Sequence, residues 1–197
     1  MKIFLLYTLA LLSLTGCGLI SDPGEVKRYT LSSLQELDQN KTRKLHLIVD
    51  TPQLYPPIDN TRLALVTSEQ TIDYYACAEW GDRLANLIQE SLIYSLQNSG
   101  RFISVSRPGE GLNTDYTLKL DVRNFQVVYD KEMKPSHARV TYLAQIVRNS
   151  TRRVISRKLV HSNQPVTEEK MDLIANSLNL AHLQASATII NWISKYY

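Results

Sequence analysis

The stretch Tyr116–Tyr129 constrains the fold more than any other part of the chain. Tyr116, Leu118, Leu120 and Val122 alternate with Thr117, Lys119, Asp121 and Arg123. This is the period-two pattern of a strand with one buried face and one wet face. Such a strand needs neighbours in a sheet and an apolar layer over its buried side. The phase then slips, since Phe125, Val127 and Tyr129 continue on odd numbers. A one-residue slip would turn the buried face outward, so a bulge or bend is predicted near Asn124. Val140, Tyr142, Ala144 and Ile146 predict a second alternating strand and residues 154–161 a third. Residues 148–153 (RNSTRR) would form the hairpin tip between them.

Two segments have the period that could supply the covering layer. Trp80, Leu84, Leu87, Ile88, Leu92 and Leu96 recur at three- and four-residue spacing, predicting a helix over residues 79–99. Glu79 and Asp82 would sit in its first turn, and Gly100 would cap its end. After Pro165, Thr167 is expected to cap a long C-terminal helix opening with Glu168 and Glu169. Its apolar stripe is Met171, Ile174, Ala175, Leu178, Ala181, Ala185, Ile189 and Ile193, with a break expected near Asn176, Ser177 and Asn179. Shorter strands are predicted at 28–32, 45–49, 62–67, 71–76 and 102–106. Pro52, Pro56 and Pro57 stop regular pairing after the second of these. A tight turn is expected at 68–70, and surface loops at 35–44 and 108–111. These elements describe an α/β protein, one domain with a mixed β-sheet and packed helices.

The N-terminus does not belong to that domain. Residues 3–14 (IFLLYTLALLSL) form an uncharged apolar run after Lys2, too short for a membrane span, which needs about 20 such residues. It reads as a signal peptide of residues 1–16. Leu14, Thr15 and Gly16 followed by Cys17 resemble a bacterial lipobox, a pattern in which the Cys thiolate accepts a diacylglycerol group before cleavage. Residues 17–27, with the turn-rich SDPGE at 21–25, would be the lipidated N-terminus and tether, and residues 28–197 the domain. Gly18, where sorting rules of enteric bacteria place Asp for inner-membrane retention, points to the outer membrane. The whole chain has 197 residues and a formal charge of +3. Losing residues 1–16 removes only one charge, Lys2, and leaves 181 residues at +2. Neither that charge nor an exported, lipid-anchored state fits a nucleic-acid partner. With Cys17 lipidated, Cys77 has no disulfide partner, and between Ala76 and Ala78 it is expected to be a small buried hydrophobe.

The chemistry-bearing residues do not assemble into a known pattern. His46, His137, His161 and His182 are dispersed without metal-ligand spacing, and no phosphate-binding glycine loop or Gly-x-Ser-x-Gly elbow occurs. No catalytic residue, metal or cofactor is expected. Arg148, Arg152, Arg153, Arg157 and Lys158 form the strongest charged patch. They are read first as a solvated hairpin that protects a sheet edge, and second as a contact for an acidic partner or anionic lipid. Tyr55, Tyr74 and Tyr75 are candidate docking residues, although core packing or a half-buried strand position is the first reading of each.

Several of these features recur together: the lipobox, then Arg28-Tyr29-Thr30-Leu31-Ser32, the proline-rich loop, Arg62-Leu63-Ala64, Thr71-Ile72-Asp73-Tyr74-Tyr75 and Ala78-Glu79-Trp80-Gly81-Asp82-Arg83-Leu84. In this order the chain resembles the ABC-type transport auxiliary lipoprotein family, which includes paraquat-inducible protein C. The resemblance implies an anticodon-binding-like mixed sheet and a non-enzymatic subunit of an ABC lipid transporter, anchored to the periplasmic face of the outer membrane. It also implies a mammalian-cell-entry (MCE) family protein as partner, with homo-oligomerisation left open. Of its site residues only Cys17, the lipid-bearing position, carries over. A different reading of the same exported lipoprotein is an outer-membrane biogenesis or structural role beside a β-barrel assembly.

Overall fold

The alternating segment is the spine of the structure. A computed structural model describes residues 26–35, 43–110 and 113–196; the expected signal peptide and lipobox and most of the predicted 35–44 loop lie outside them. Tyr116–Tyr129 forms β7, which pairs antiparallel along its length with β8 (Pro135–Arg148), itself antiparallel to β9 (Arg153–Pro165). The predicted bulge is present. Val122 pairs with Tyr142 and Asn124 with Thr141, leaving Arg123 as the extra residue. Its effect is the one the phase slip requires: Leu118, Leu120 and Val122 before it and Phe125, Val127 and Tyr129 after it are all buried.

The other flank of β7 is shared among three short parallel strands. β2 (Arg43–Val49) takes its first residues, β3 (Gln53–Leu54) its middle and β4 (Arg62–Val66) its last third. Pro52, Pro56 and Pro57 divide what would otherwise be one long partner, because each removes an amide donor. Beyond this split the sheet forks. β2 pairs with β6 (Phe102–Ser106), while β4 pairs with β5 (Ile72–Trp80) and β5 with β1 (Lys27–Tyr29), completing a nine-stranded mixed sheet.

Two helices, α1 (Leu84–Asn98) and α2 (Met171–Tyr196), pack on the buried face. Leu84, Leu87, Ile88, Leu92 and Leu96 are buried as the stripe predicts, and Gly100 follows with a φ of 61° that favours glycine. The start of α1 differs from expectation. Trp80 belongs to β5: its amide donates to Thr61 O at 2.6 Å and the Gly81 amide to Tyr29 O at 2.7 Å. The sheet therefore outcompetes the helix for these amides, and Trp80 packs edge-on against Phe125. Glu79 and Asp82 both precede the first turn, which holds no acidic residue. Asp82 still serves the helix start by accepting from the Arg83 amide and the Asn86 side chain. The Asn86 bond leads in holding its carboxyl below the usual range.

α2 corrects two further expectations. Thr167 is exposed and does not cap it; the helix opens four residues later, and Glu169 instead accepts from the Tyr129 hydroxyl at 2.8 Å. Nor does it break near Asn176–Asn179. Ser177 donates to Pro165 O and Asn179 accepts from the Ser32 amide, so these side chains find partners outside the helix instead of competing for its backbone.

Cys77 is exposed, contrary to the expectation that it is buried. The reason is local: Ala64 pairs with Tyr74 but Arg62 with Glu79, so β5 carries surplus residues that bulge away from the core, Ala76 and Cys77 among them. Native protein should therefore react fully with a maleimide at Cys77 without denaturant, as intact mass will show. Labelling that appears only after unfolding would contradict the bulge.

Candidate functional site

Cys17 and the expected lipobox residues Leu14, Thr15 and Gly16 lie outside the described residues, so the N-terminal end is described from where the chain enters the fold. Lys27 pairs with Asp172 at 2.9 Å and the Tyr29 hydroxyl donates to the same carboxylate at 2.7 Å. Burial, reinforced by that acceptor, pushes the Tyr29 phenol up to about 12, while Lys27 first and Tyr29 second hold the Asp172 carboxyl low. Past β1 the chain crosses both helices. The Ser32 amide donates to Asn179, the Leu34 amide to Ser95 Oγ, and Asn98 Nδ2 to Leu34 O. The segment after β1 is thus strapped to the helical layer by hydrogen bonds between its backbone and the side chains of Asn179, Ser95 and Asn98.

Beneath the strap lies a polar group in the core. His182 is 0% exposed, its Nε2 lies 2.7 Å from Ser91 Oγ and its Nδ1 2.7 Å from the Tyr142 hydroxyl. Ser91 Oγ also lies 2.5 Å from Ser32 O, which can only accept. The Ser91 hydroxyl therefore donates to Ser32, its oxygen accepts from Nε2–H, and the bare Nδ1 accepts from Tyr142. Every proton in this chain has one acceptor. Burial drives His182 down to about 3, so the ring is neutral, and pushes the Tyr142 phenol far up. A Ser–His pair suggests a nucleophile, but this one is sealed beneath the helices and its hydroxyl proton is committed to a backbone carbonyl. It ties the strap, α1, α2 and β8 together. Sequence reading missed it, although Ser91, Ser95 and His182 all fall on apolar helical stripes, a signal for polar groups that must find partners inside.

The remaining histidines are separate. His46 Nδ1 is bonded to Ser104, His161 to Thr141, and His137 lies beside Arg139. Among the described residues no group of three His, Cys, Asp or Glu is placed to hold a metal ion. Of the three tyrosines, Tyr74 donates to Pro57 O beneath the Arg62 guanidinium, 3.6 Å above its ring, and Tyr75 donates to the Tyr129 hydroxyl. Tyr55 alone of them stands open, 58% exposed.

The depression between Asp50, Gln53, Lys119, Asp121 and Gln145, about 200 Å³, is polar and crossed by the Lys119–Asp50 ion pair. The apolar gap between Leu47, Phe102, Tyr116, Ile146 and Ile193 has no room for a water molecule, still less an acyl chain. The predicted basic tip is real: β8 ends at Arg148 and β9 begins at Arg153, with Arg148, Arg152, Arg153 and Arg157 exposed. No helix among the described residues is long and apolar enough to cross a membrane.

Comparison with known proteins agrees with this architecture. The crystal structure of protein XCC0632 from Xanthomonas campestris, of the family DUF330, superposes with a TM-score of 0.77 at 19% identity, over 86% of this chain and 95% of that one. The hypothetical protein CT253 from Chlamydia trachomatis superposes with a TM-score of 0.53 at 8% identity, over 78% of this chain and 98% of that one. These are likenesses of fold. A search of curated protein sequences finds no match. Residues 29–190, nearly the whole folded part, match the family described as ABC-type transport auxiliary lipoprotein component. The chain belongs to that family.

Proposed function

We propose that the protein is a non-enzymatic auxiliary subunit of an ABC-type lipid transporter. It is held on the periplasmic face of the outer membrane through lipid on Cys17 and works beside an MCE-family protein. The observation that carries this reading is the family match over residues 29–190, preceded by Leu14, Thr15, Gly16 and Cys17. The geometry fits a binding role. The core is filled, the Ser91–His182 pair is sealed, and the described surface offers open, polar ground suited to docking. A strap fixed to both helices seats the segment after β1 firmly on the domain.

The test is affinity isolation of the lipidated full-length chain from membranes in mild detergent. An MCE-family protein should co-purify in stoichiometric amount. Recovery of β-barrel assembly proteins alone would overturn the transport reading in favour of an envelope-assembly role.

A further inference from the structure

We propose that the tip of the β8–β9 hairpin is a docking surface for an acidic segment of a partner protein, on the end of the domain away from the anchor. Three observations carry this. The first is isolation of charge. Residues 148–158 (RNSTRRVISRK) hold five cations and no acid. None of the five has an ion pair among the described residues, whereas eight other Lys and Arg residues do, from Lys27–Asp172 to Lys170–Glu168. The adjacent acid, Asp115, turns its carboxylate to the His46 amide.

The second is that the tip is built against local stability. Arg148 stands directly across from Arg153 in the ladder, a like-charge pair that destabilises a hairpin. Arg152 holds a φ of 53°, the left-handed region that glycine or asparagine occupies at least cost. Protecting an edge strand calls for charge along β9, but for neither of these arrangements. Arginine thus stands at two tip positions where folding alone would favour another residue.

The third is position. Lys27 is tied to Asp172 at the first turn of α2, while Tyr116 and Ile146, at the tip end of the sheet, share a gap with Ile193 near the end of that helix. Asp172 and Ile193 are 21 residues apart along α2, so these two points lie about 32 Å apart. The direction of the tip rests on the proposed lipidation of Cys17; the charge argument does not. With Lys27 toward the anchoring membrane, the tip points away from those headgroups. A second copy meeting tip to tip would oppose five cations to five. The occupant that fits is an acidic segment of another protein.

The test places a photo-crosslinking residue at Ser150 in the full-length protein in cells, with a control at Thr167 beyond the other end of the sheet. Expected is a protein adduct from Ser150 alone, mapping to a segment rich in Asp and Glu. It should fall at least about tenfold with Arg148→Glu plus Arg153→Glu, as charge reversal at a docking contact does. Changing the mapped acids to lysine should restore it. Arg152→Gly, which relieves the backbone, should raise Tm by about 2–4 °C while weakening the adduct, so that loss of docking is not loss of fold. Adducts with lipid only, with a second copy only, or of unchanged yield after charge reversal would overturn the proposal. An MCE protein that co-purifies without any tip adduct overturns this inference and leaves the proposed function standing. A charge-dependent adduct with a different acidic protein, with no MCE protein recovered, does the reverse.

Discussion

Cys17→Ala is expected to abolish outer-membrane fractionation. The variant should be found as uncleaved precursor or as protein released by osmotic shock, with an intact mass lacking acyl groups. Its size follows from the energetics of anchoring. Each buried methylene contributes about 0.8 kcal/mol, and one short acyl chain gives only marginal, reversible binding, whereas several together hold stably. No helix among the described residues is long and apolar enough to span a bilayer in their place. The change is therefore close to all or none. Cys17→Ser should behave the same way, since a hydroxyl is not the thiolate the transfer needs. Unchanged outer-membrane fractionation of either variant would sink the proposed anchoring.

The parts of the fold that the sequence announced are those in which one local rule governs a long segment. The period-two run of β7, its slip at Asn124 and the stripe of α1 each record a single buried face, and the structure has that face where the pattern puts it. Expectations failed where two rules competed at one residue. Trp80 suits a helical stripe, yet its amide is taken by Thr61 across the sheet. Thr167 is a good cap, but Glu169 is drawn to Tyr129, and the helix waits until Met171. Asn179 is a poor helix former in isolation, and only the strap, 147 residues away in sequence, gives it a reason to be there. Cys77 is small and apolar, but whether it faces the core depends on a bulge set by pairing with β4. The basic tip was visible as composition, with contact to an acidic partner as its second reading. What favours that reading, the Arg148–Arg153 opposition and the backbone of Arg152, exists only once the register is known.

His182→Leu should destabilise the domain by about 2–4 kcal/mol at neutral pH. It leaves the buried Tyr142 hydroxyl without its acceptor and removes the proton that Ser91 Oγ receives, each loss of the kind that costs about 1–3 kcal/mol. The side chain also fills the space between Phe125 and Tyr142, so its shape counts as well as its polarity. Adding Tyr142→Phe removes the orphaned hydroxyl and should recover part of the loss, because an apolar pair in a dry core leaves nothing unsatisfied. The same ring sets a pH dependence whose sign can be worked out. Folded, His182 titrates at about 3; unfolded, at about the ordinary 6.5. As pH falls below 6.5 the unfolded chain takes up a proton that the folded core refuses. Stability should therefore drop by about 1.4 kcal/mol per pH unit from this group until the folded value is reached, and it is undiminished above pH 6.5. Urea titrations at pH 7 and pH 5 should show this fall in the wild type and a shallower one in His182→Leu/Tyr142→Phe. Equal pH slopes in the two proteins would mean that the imidazole is hydrated, and that the Ser91–His182–Tyr142 chain is not the closed device that joins the strap to the sheet.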